Sequence, residues 1–284
     1  MPSAPLASAG LPYRGTFGAT RPPAVAGLPL PPRPMPSHQG ARPLKAWRYV
    51  GVYGPELMLC AASVRIGPAR QCFWAVWDRQ AGRLYERTVI GRRPVSLPPG
   101  RVRVEDGGVS IDVVLEEVPG VETVCRTGES YAWTRKQGGI RARGTVRTPE
   151  RHVELDARGV IDDTAAYYER HTRWRWCVGV GRAADGRAVA WNLVSGVNDP
   201  RSNSERTVWV EGVPGEAGVS AFSEDLQSVD GLRFVPEATR ERSDNLVVIR
   251  SSYRQPFGIF EGELPGGVAL AEGYGVMEEH DARW

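Results

Sequence analysis

Asp162 and Asp163 are adjacent carboxylates, followed closely by Tyr167, Tyr168, His171, Trp174 and Trp176; Glu278, His280 and Asp281 stand near the end of the chain. Neighbouring acids oppose each other's ionisation, so one of such a pair can keep its proton near neutral pH. Aromatic faces stabilise a cation that develops when an alkene is protonated. On this reading Asp162 or Asp163 is a general acid, with His171 or Glu278 orienting water and His280 a further catalytic candidate. The reaction would be hydration, cyclisation or isomerisation of an apolar substrate. A plainer reading of the same residues is that the Asp pair caps a short helix over 164–171 and the alternating Trp side chains fill a core. The sequence leaves both open.

Glu278 and His280 would share one face of a strand, as two metal ligands must, with His152 or His171 to complete the set. Four His in the whole chain is a thin supply, and no metal or other cofactor is expected. Trp191, Asn192 and Tyr274 join Tyr167, Tyr168, Trp174 and Trp176 as candidate ligand-facing residues. Asn198-Asp199-Pro200 reads as a turn. Ser195-Gly196 lacks the GxSxG elbow, and neither GxGxxG nor GxxxxGKS occurs, so hydrolase and nucleotide-binding readings lack their usual support.

The elements that must hold these groups are strands. Gly and Pro, 33 and 23 in number, punctuate short apolar runs throughout 284 residues. Trp174, Trp176, Val178 and Val180 alternate with Arg173, Arg175, Cys177 and Gly179, so the first four share a face. Turns at Asp78 to Arg83 and at Ala184-Asp185-Gly186 predict hairpins, and the two segments resemble each other weakly. Arg135 to Arg147 reads as two strands joined by Gly138-Gly139. The fold class expected is all-β: two lipocalin-like antiparallel barrels or sandwiches, with a Pro-rich N-terminal arm. The arm is residues 1–44, the first lobe 45–158 and the second 159–284. Leu11, Tyr13, Phe17, Leu28 and Leu30 would anchor the arm on the body.

Composition removes several function classes. The net charge is +3 and acids alternate with bases along the chain, which argues against a nucleic-acid stripe. Lys45 and Lys136 are the only lysines among 36 basic residues. The four Cys show no CxxC spacing and read as buried thiols. No window is long and apolar enough for a membrane span and no secretory leader is seen, so a cytoplasmic protein without integral membrane association is expected. The oligomeric state is left open.

RPLKAWRYVGVYGPELMLC (Arg42 to Cys60), GVIDDTAAYYERHTRWRW (Gly159 to Trp176), VAWNLVSGVND (Val189 to Asp199) and GYGVMEEHDARW (Gly273 to Trp284) resemble the bacterial DUF2804 family, a domain of unknown function. The resemblance covers nearly the whole chain and brings no established activity. More remotely, that family is similar to a superfamily of paired lipocalin-like barrels that includes carotenoid hydratases, tocopherol cyclases, fungal decalin-forming cyclases and a yeast survival factor that handles sphingolipids. The resemblance implies a hydrophobic small molecule as partner, bound in a cavity lined by Trp and Tyr. A β module that recognises carbohydrate or protein is the rival; it would leave Trp174 and Trp191 exposed to solvent.

Overall fold

The computed structural model describes residues 10–246 and 249–284. In chain order the elements are β1 (Tyr13–Thr16), α1 (Pro23–Ala26), β2 (His38–Gln39), β3 (Arg42–Pro43), β4 (Lys45–Tyr53), β5 (Leu57–Ile66), β6 (Ala69–Asp78), β7 (Arg83–Ile90), β8 (Val95–Ser96), β9 (Arg101–Asp106) and β10 (Val109–Leu115). They continue as β11 (Val121–Thr127), β12 (Ser130–Arg147), β13 (His152–Ala166), β14 (His171–Ala183), β15 (Ala188–Ser195), β16 (Thr207–Val210), β17 (Val213–Glu216), β18 (Ser228–Val229), β19 (Leu232–Leu246), β20 (Ile249–Leu264) and β21 (Val268–Arg283). The fold is all-β, as the punctuation of short apolar runs demands.

Two antiparallel sheets share one strand order. The first runs β7-β6-β5-β4-β13-β12-β10-β9-β8, with β11 and β1 added beside β12; the second runs β17-β16-β15-β14-β21-β20-β19-β18. In each, an opening run of hairpins (β4 to β7, β14 to β17) lies to one side, and a later strand, β13 or β21, pairs with the first strand of that run. The chain changes sheets between Ala166 and His171, and position 158/159 falls inside β13.

Each sheet curls around a core of its own. Leu59 and Trp74, from β5 and β6, share a cluster with Val104 and Ile111, from β9 and β10, although these strands lie towards opposite ends of the sheet. A sheet can bring such distant strands together on one face only by coiling. Trp191, Phe234, Phe260 and Met277 form the corresponding core of the second sheet. A third cluster lies between the sheets, where Tyr49, Tyr53, Met58 and Val160 meet Trp176, Val178, Val180 and Phe257.

The strand faces follow from alternation. Trp176, Val178 and Val180 of β14 point into the layer between the sheets, while Cys177 points into the second core. Gly179 leaves room for Trp191: a Cβ there would lie 2.3 Å from the indole. Residues 1–9 of the expected arm lie outside the described residues; from residue 10 it packs along the first sheet. Val25, Leu30 and Met35 are buried against Val124, Tyr131, Trp133 and Tyr167, and Leu11, Tyr13, Phe17 and Leu28 flank them.

Two sequence expectations give way. Arg135 and Arg147 belong to one continuous strand, β12, because Gly139 at φ 71° absorbs a register shift rather than reversing the chain. The short helix over 164–171 is absent. Asp162, Asp163 and Thr164 lie inside β13, paired with β12 on one side and β4 on the other. Backbone groups satisfied on both edges leave nothing for a helix cap to do.

Candidate functional site

A cavity of about 210 Å³ opens between the sheets. Aromatic rings form much of its wall: Trp47, Tyr49 and Phe73 come from the first half of the chain, and Tyr168, Trp174, Trp176, Tyr253 and Trp284 from the second. Asp162, Lys136, Glu205, Glu278 and His280 are among its polar groups, which also include Arg70 and Asp244.

Two of the carboxylates that line this space, Asp162 and Glu278, are each tied to a Trp. Asp162 is on β13, where alternation sends it and Thr164 to one face and Asp163 to the other. Trp47 Nε1 donates to Asp162 Oδ2 at 3.1 Å, Thr164 Oγ1 donates to Oδ1 at 2.8 Å, and Lys136 Nζ pairs with Oδ1 at 2.7 Å. Lys136 also reaches Glu205 Oε1 at 3.3 Å. Burial works against the Lys136 ammonium, but Asp162 and Glu205 outweigh it and hold its pKa above the ordinary lysine value. Burial raises the Glu205 carboxyl, with Lys136 pulling the other way.

Glu278 lies on β21 and, among the described residues, has no Lys or Arg in contact. Trp174 Nε1 donates to its Oε1 at 2.9 Å and Gln255 Nε2 donates to its Oε2 at 2.6 Å. Burial pushes this carboxyl up to about 7, against the pull of both hydrogen bonds. With 13% of its side-chain surface accessible, it still reaches the cavity it lines. His280, two residues on, is drawn down to about 4 by burial and is therefore neutral at pH 7. Its Nε2 shares a hydrogen bond with Ser251 Oγ at 2.8 Å, and its ring packs on Trp174 with centroids 4.2 Å apart.

The candidate residues divide. Asp162, Glu278, His280, Tyr168, Trp174 and Trp176 converge on the cavity. Asp163 faces away, held by Arg48 Nη1 at 2.8 Å from each oxygen. His171 is exposed and bonded to Asp281 at 2.9 Å. Tyr167 lies under the arm and donates to the Pro36 carbonyl at 2.7 Å. Trp191 is fully buried in the second core, which removes it as an exposed sugar platform. Asn192 stands behind Trp176 and accepts its indole N–H at 2.8 Å. Tyr274 lies outside the cavity lining, with the Arg79 guanidinium 5.2 Å over its ring. Glu278 and His280 share a face, their nearest ring and carboxyl atoms 4.0 Å apart. Among the described residues no three His, Cys, Asp or Glu side chains gather as a metal site would require.

Trp47, Lys136, Gln255 and Ser251 are part of the site without having been candidates. One signal was available for Lys136: in a chain whose basic residues are otherwise Arg, a lysine is set apart, and both lysines prove to be buried.

The family model for a domain of unknown function (DUF2804) matches residues 96–214 and 220–284, more than half of the chain. The chain belongs to that family. No curated protein matches this DUF2804 member. Among solved structures it is similar to kievitone hydratase from Nectria haematococca, with a TM-score of 0.49, 10% identity and coverage of 83% of this chain and 88% of that one. It is also similar to a protein assigned as AttH from Nitrosomonas europaea, with a TM-score of 0.46, 14% identity and coverage of 86% and 94%. A third, CghA with Sch210972, gives a TM-score of 0.44, 8% identity and coverage of 84% and 88%. No described helix of the DUF2804 chain is long and apolar enough to cross a membrane.

Proposed function

We propose that the protein holds a largely apolar small molecule between its two sheets and that Glu278 passes a proton to it. The observation that carries this reading is a buried carboxyl, pushed up to about 7, in a cavity walled by indole and phenol rings. Apolar walls with few, well-placed polar groups are what small-molecule sites present. A donor whose pKa lies near the working pH combines an adequate protonated fraction with a useful driving force for transfer.

The step is acid-catalysed addition. The Glu278 O–H gives its proton to one carbon of a double bond, whose π electrons form the new C–H bond. The cation left on the neighbouring carbon lies against the Trp47 and Trp174 faces. Capture of water, attack by a second double bond, or loss of a proton then yields a hydrate, a ring or an isomer. Retention of the ligand without chemistry is the simpler reading of the same apolar walls.

The test has two stages. Binding of the neutral probe N-phenyl-1-naphthylamine is followed by fluorescence, with Trp47→Ala expected to weaken it about tenfold or more. Compounds extracted from protein purified from its own host are then incubated with the wild type and with Glu278→Gln. Retained binding with conversion lost supports proton transfer. Conversion at the wild-type rate by Glu278→Gln overturns it, and absence of any apolar ligand overturns the whole reading.

A further inference from the structure

The two sheets turn the same patch of side chains towards each other. In the first, register sets Trp47-Arg48-Tyr49 of β4 beside Thr164-Asp163-Asp162 of β13, and these beside Thr134-Arg135-Lys136 of β12. In the second, it sets Trp174-Arg175-Trp176 of β14 beside His280-Glu279-Glu278 of β21. On the far side of β21, Tyr253 and Arg254 of β20 pair with His280 and Glu279, which brings Gln255 to Glu278.

The agreement extends to bonding. Each first-strand Trp gives its indole N–H to the inward acid, at 3.1 Å for Trp47 to Asp162 and 2.9 Å for Trp174 to Glu278. Each following Arg holds the outward acid, Arg48 with Asp163 at 2.8 Å and Arg175 with Glu279 at 3.1 Å. Each third-strand residue bonds the inward acid, Lys136 at 2.7 Å and Gln255 at 2.6 Å. Equivalent residues also meet across the molecule. The Trp47 and Trp174 rings are 8° from parallel with centroids 6.4 Å apart, and Tyr49 meets Trp176 edge-on at 5.1 Å.

The exchange of greatest electrostatic consequence is Lys136 for Gln255. In the second patch a buried cation stands one strand farther out: Arg240 of β19 pairs in register with Gln255 and donates from Nη1 to its Oε1 at 3.0 Å. The residue at that place in the first patch is Val121. A guanidinium can only donate, so it fixes the Gln255 amide with Nε2 directed at Glu278.

We infer that the Lys136/Gln255 exchange divides the labour between two equivalently placed carboxylates, leaving Glu278 as the group that carries the proton and Asp162 as the ion-pair partner of Lys136. Lys136 and Gln255 are thus positioning residues that act through the acids they bond. An ammonium and an amide both give a short hydrogen bond, but only the ammonium adds a full charge in favour of the carboxylate. The catalytic meaning of this division rests on the function proposed above; the division itself exists without a ligand.

The experiment titrates ligand-free, full-length protein labelled with ¹³C at the Glu carboxyl carbons, the Glu278 signal being assigned by its loss in Glu278→Gln. The wild-type midpoint is expected at about 7. Gln255→Lys combined with Arg240→Val copies the first patch into the second and should lower that midpoint by about two units or more. Gln255→Met removes the donor without adding charge and should raise it by about one unit. A midpoint unmoved in the double variant overturns the inference. Should that variant not fold, Gln255→Met decides alone, and a midpoint that fails to rise overturns it equally. Failure of the ligand reading would appear separately, as lost N-phenyl-1-naphthylamine binding with these titrations intact.

Discussion

The Asp162 patch and the Glu278 patch share strand order, register and Trp tethers, yet put their acids to different physical use. Around Asp162 the cation is in contact and itself buried, with Glu205 as a second partner. Around Glu278 the partners are an indole and an amide, and the buried Arg240 is linked to it through Gln255. Breaking a buried ion pair by removing one member leaves an uncompensated charge, whereas a carboxyl that can take up a proton relieves its own desolvation. One scaffold therefore makes a structural ion cluster on one sheet and a titrating group on the other.

The largest effect that would sharpen this contrast is on stability. Lys136→Met strands the Asp162 and Glu205 carboxylates and should cost about 3–5 kcal/mol in urea unfolding at pH 7. Gln255→Met, at the equivalent place, should cost no more than about 1–3 kcal/mol. Equal losses would break the comparison.

A smaller effect lies in the pH dependence. Glu278 titrates at about 7 folded against about 4.3 unfolded, so between those values the folded state binds the extra proton. Its contribution is present below about pH 4.3 and lost as pH rises through 7, on the order of 3 kcal/mol in all. His280 acts oppositely. Its folded value of about 4 lies below the unfolded value of about 6.5, so its contribution is present above that value and lost as pH falls towards 4. The two slopes oppose each other between about pH 4.3 and 6.5, and the residual gain from His280 above pH 6.5 leaves a net decline of about 0.4 kcal/mol from pH 6.5 to 8. Unfolding measured across pH should show that decline in the wild type and lose it in Glu278→Gln. In His280→Gln the decline should extend down towards pH 4.3.

The smallest effect belongs outside the cavity. His171→Ala removes an exposed pair with Asp281 and should change stability by no more than about 0.5 kcal/mol. It should leave the Glu278 midpoint where it is. A shift there would tie the outer surface to the site and blur the distinction between the patches.

Much of the architecture was legible in the chain. Alternation put Trp174, Trp176, Val178 and Val180 on one face, and the turns at Asp78 to Arg83 and Ala184 to Gly186 join β6 to β7 and β14 to β15. The site was legible only in part. Asp162 and Asp163 are equivalent by composition, and helix capping was as natural a role as catalysis until β12 and β4 claimed both edges of β13. The internal similarity seen between the hairpin turns was weak. The repeat that matters is spread over three strands of each sheet, in segments too short to register as duplicated sequence.

The sequence by itself determined strands, turns, an apolar interior and family membership, because these depend on residue type and short-range periodicity. Only the tertiary structure decided which acid faces inward, that Trp47 lies against Asp162 115 positions away, and that Lys136 and Gln255 occupy equivalent places. Those relations arise from pairing between distant strands. The protonation of Glu278 follows from them in turn, since it reflects how much water is excluded and which charge stands beside it.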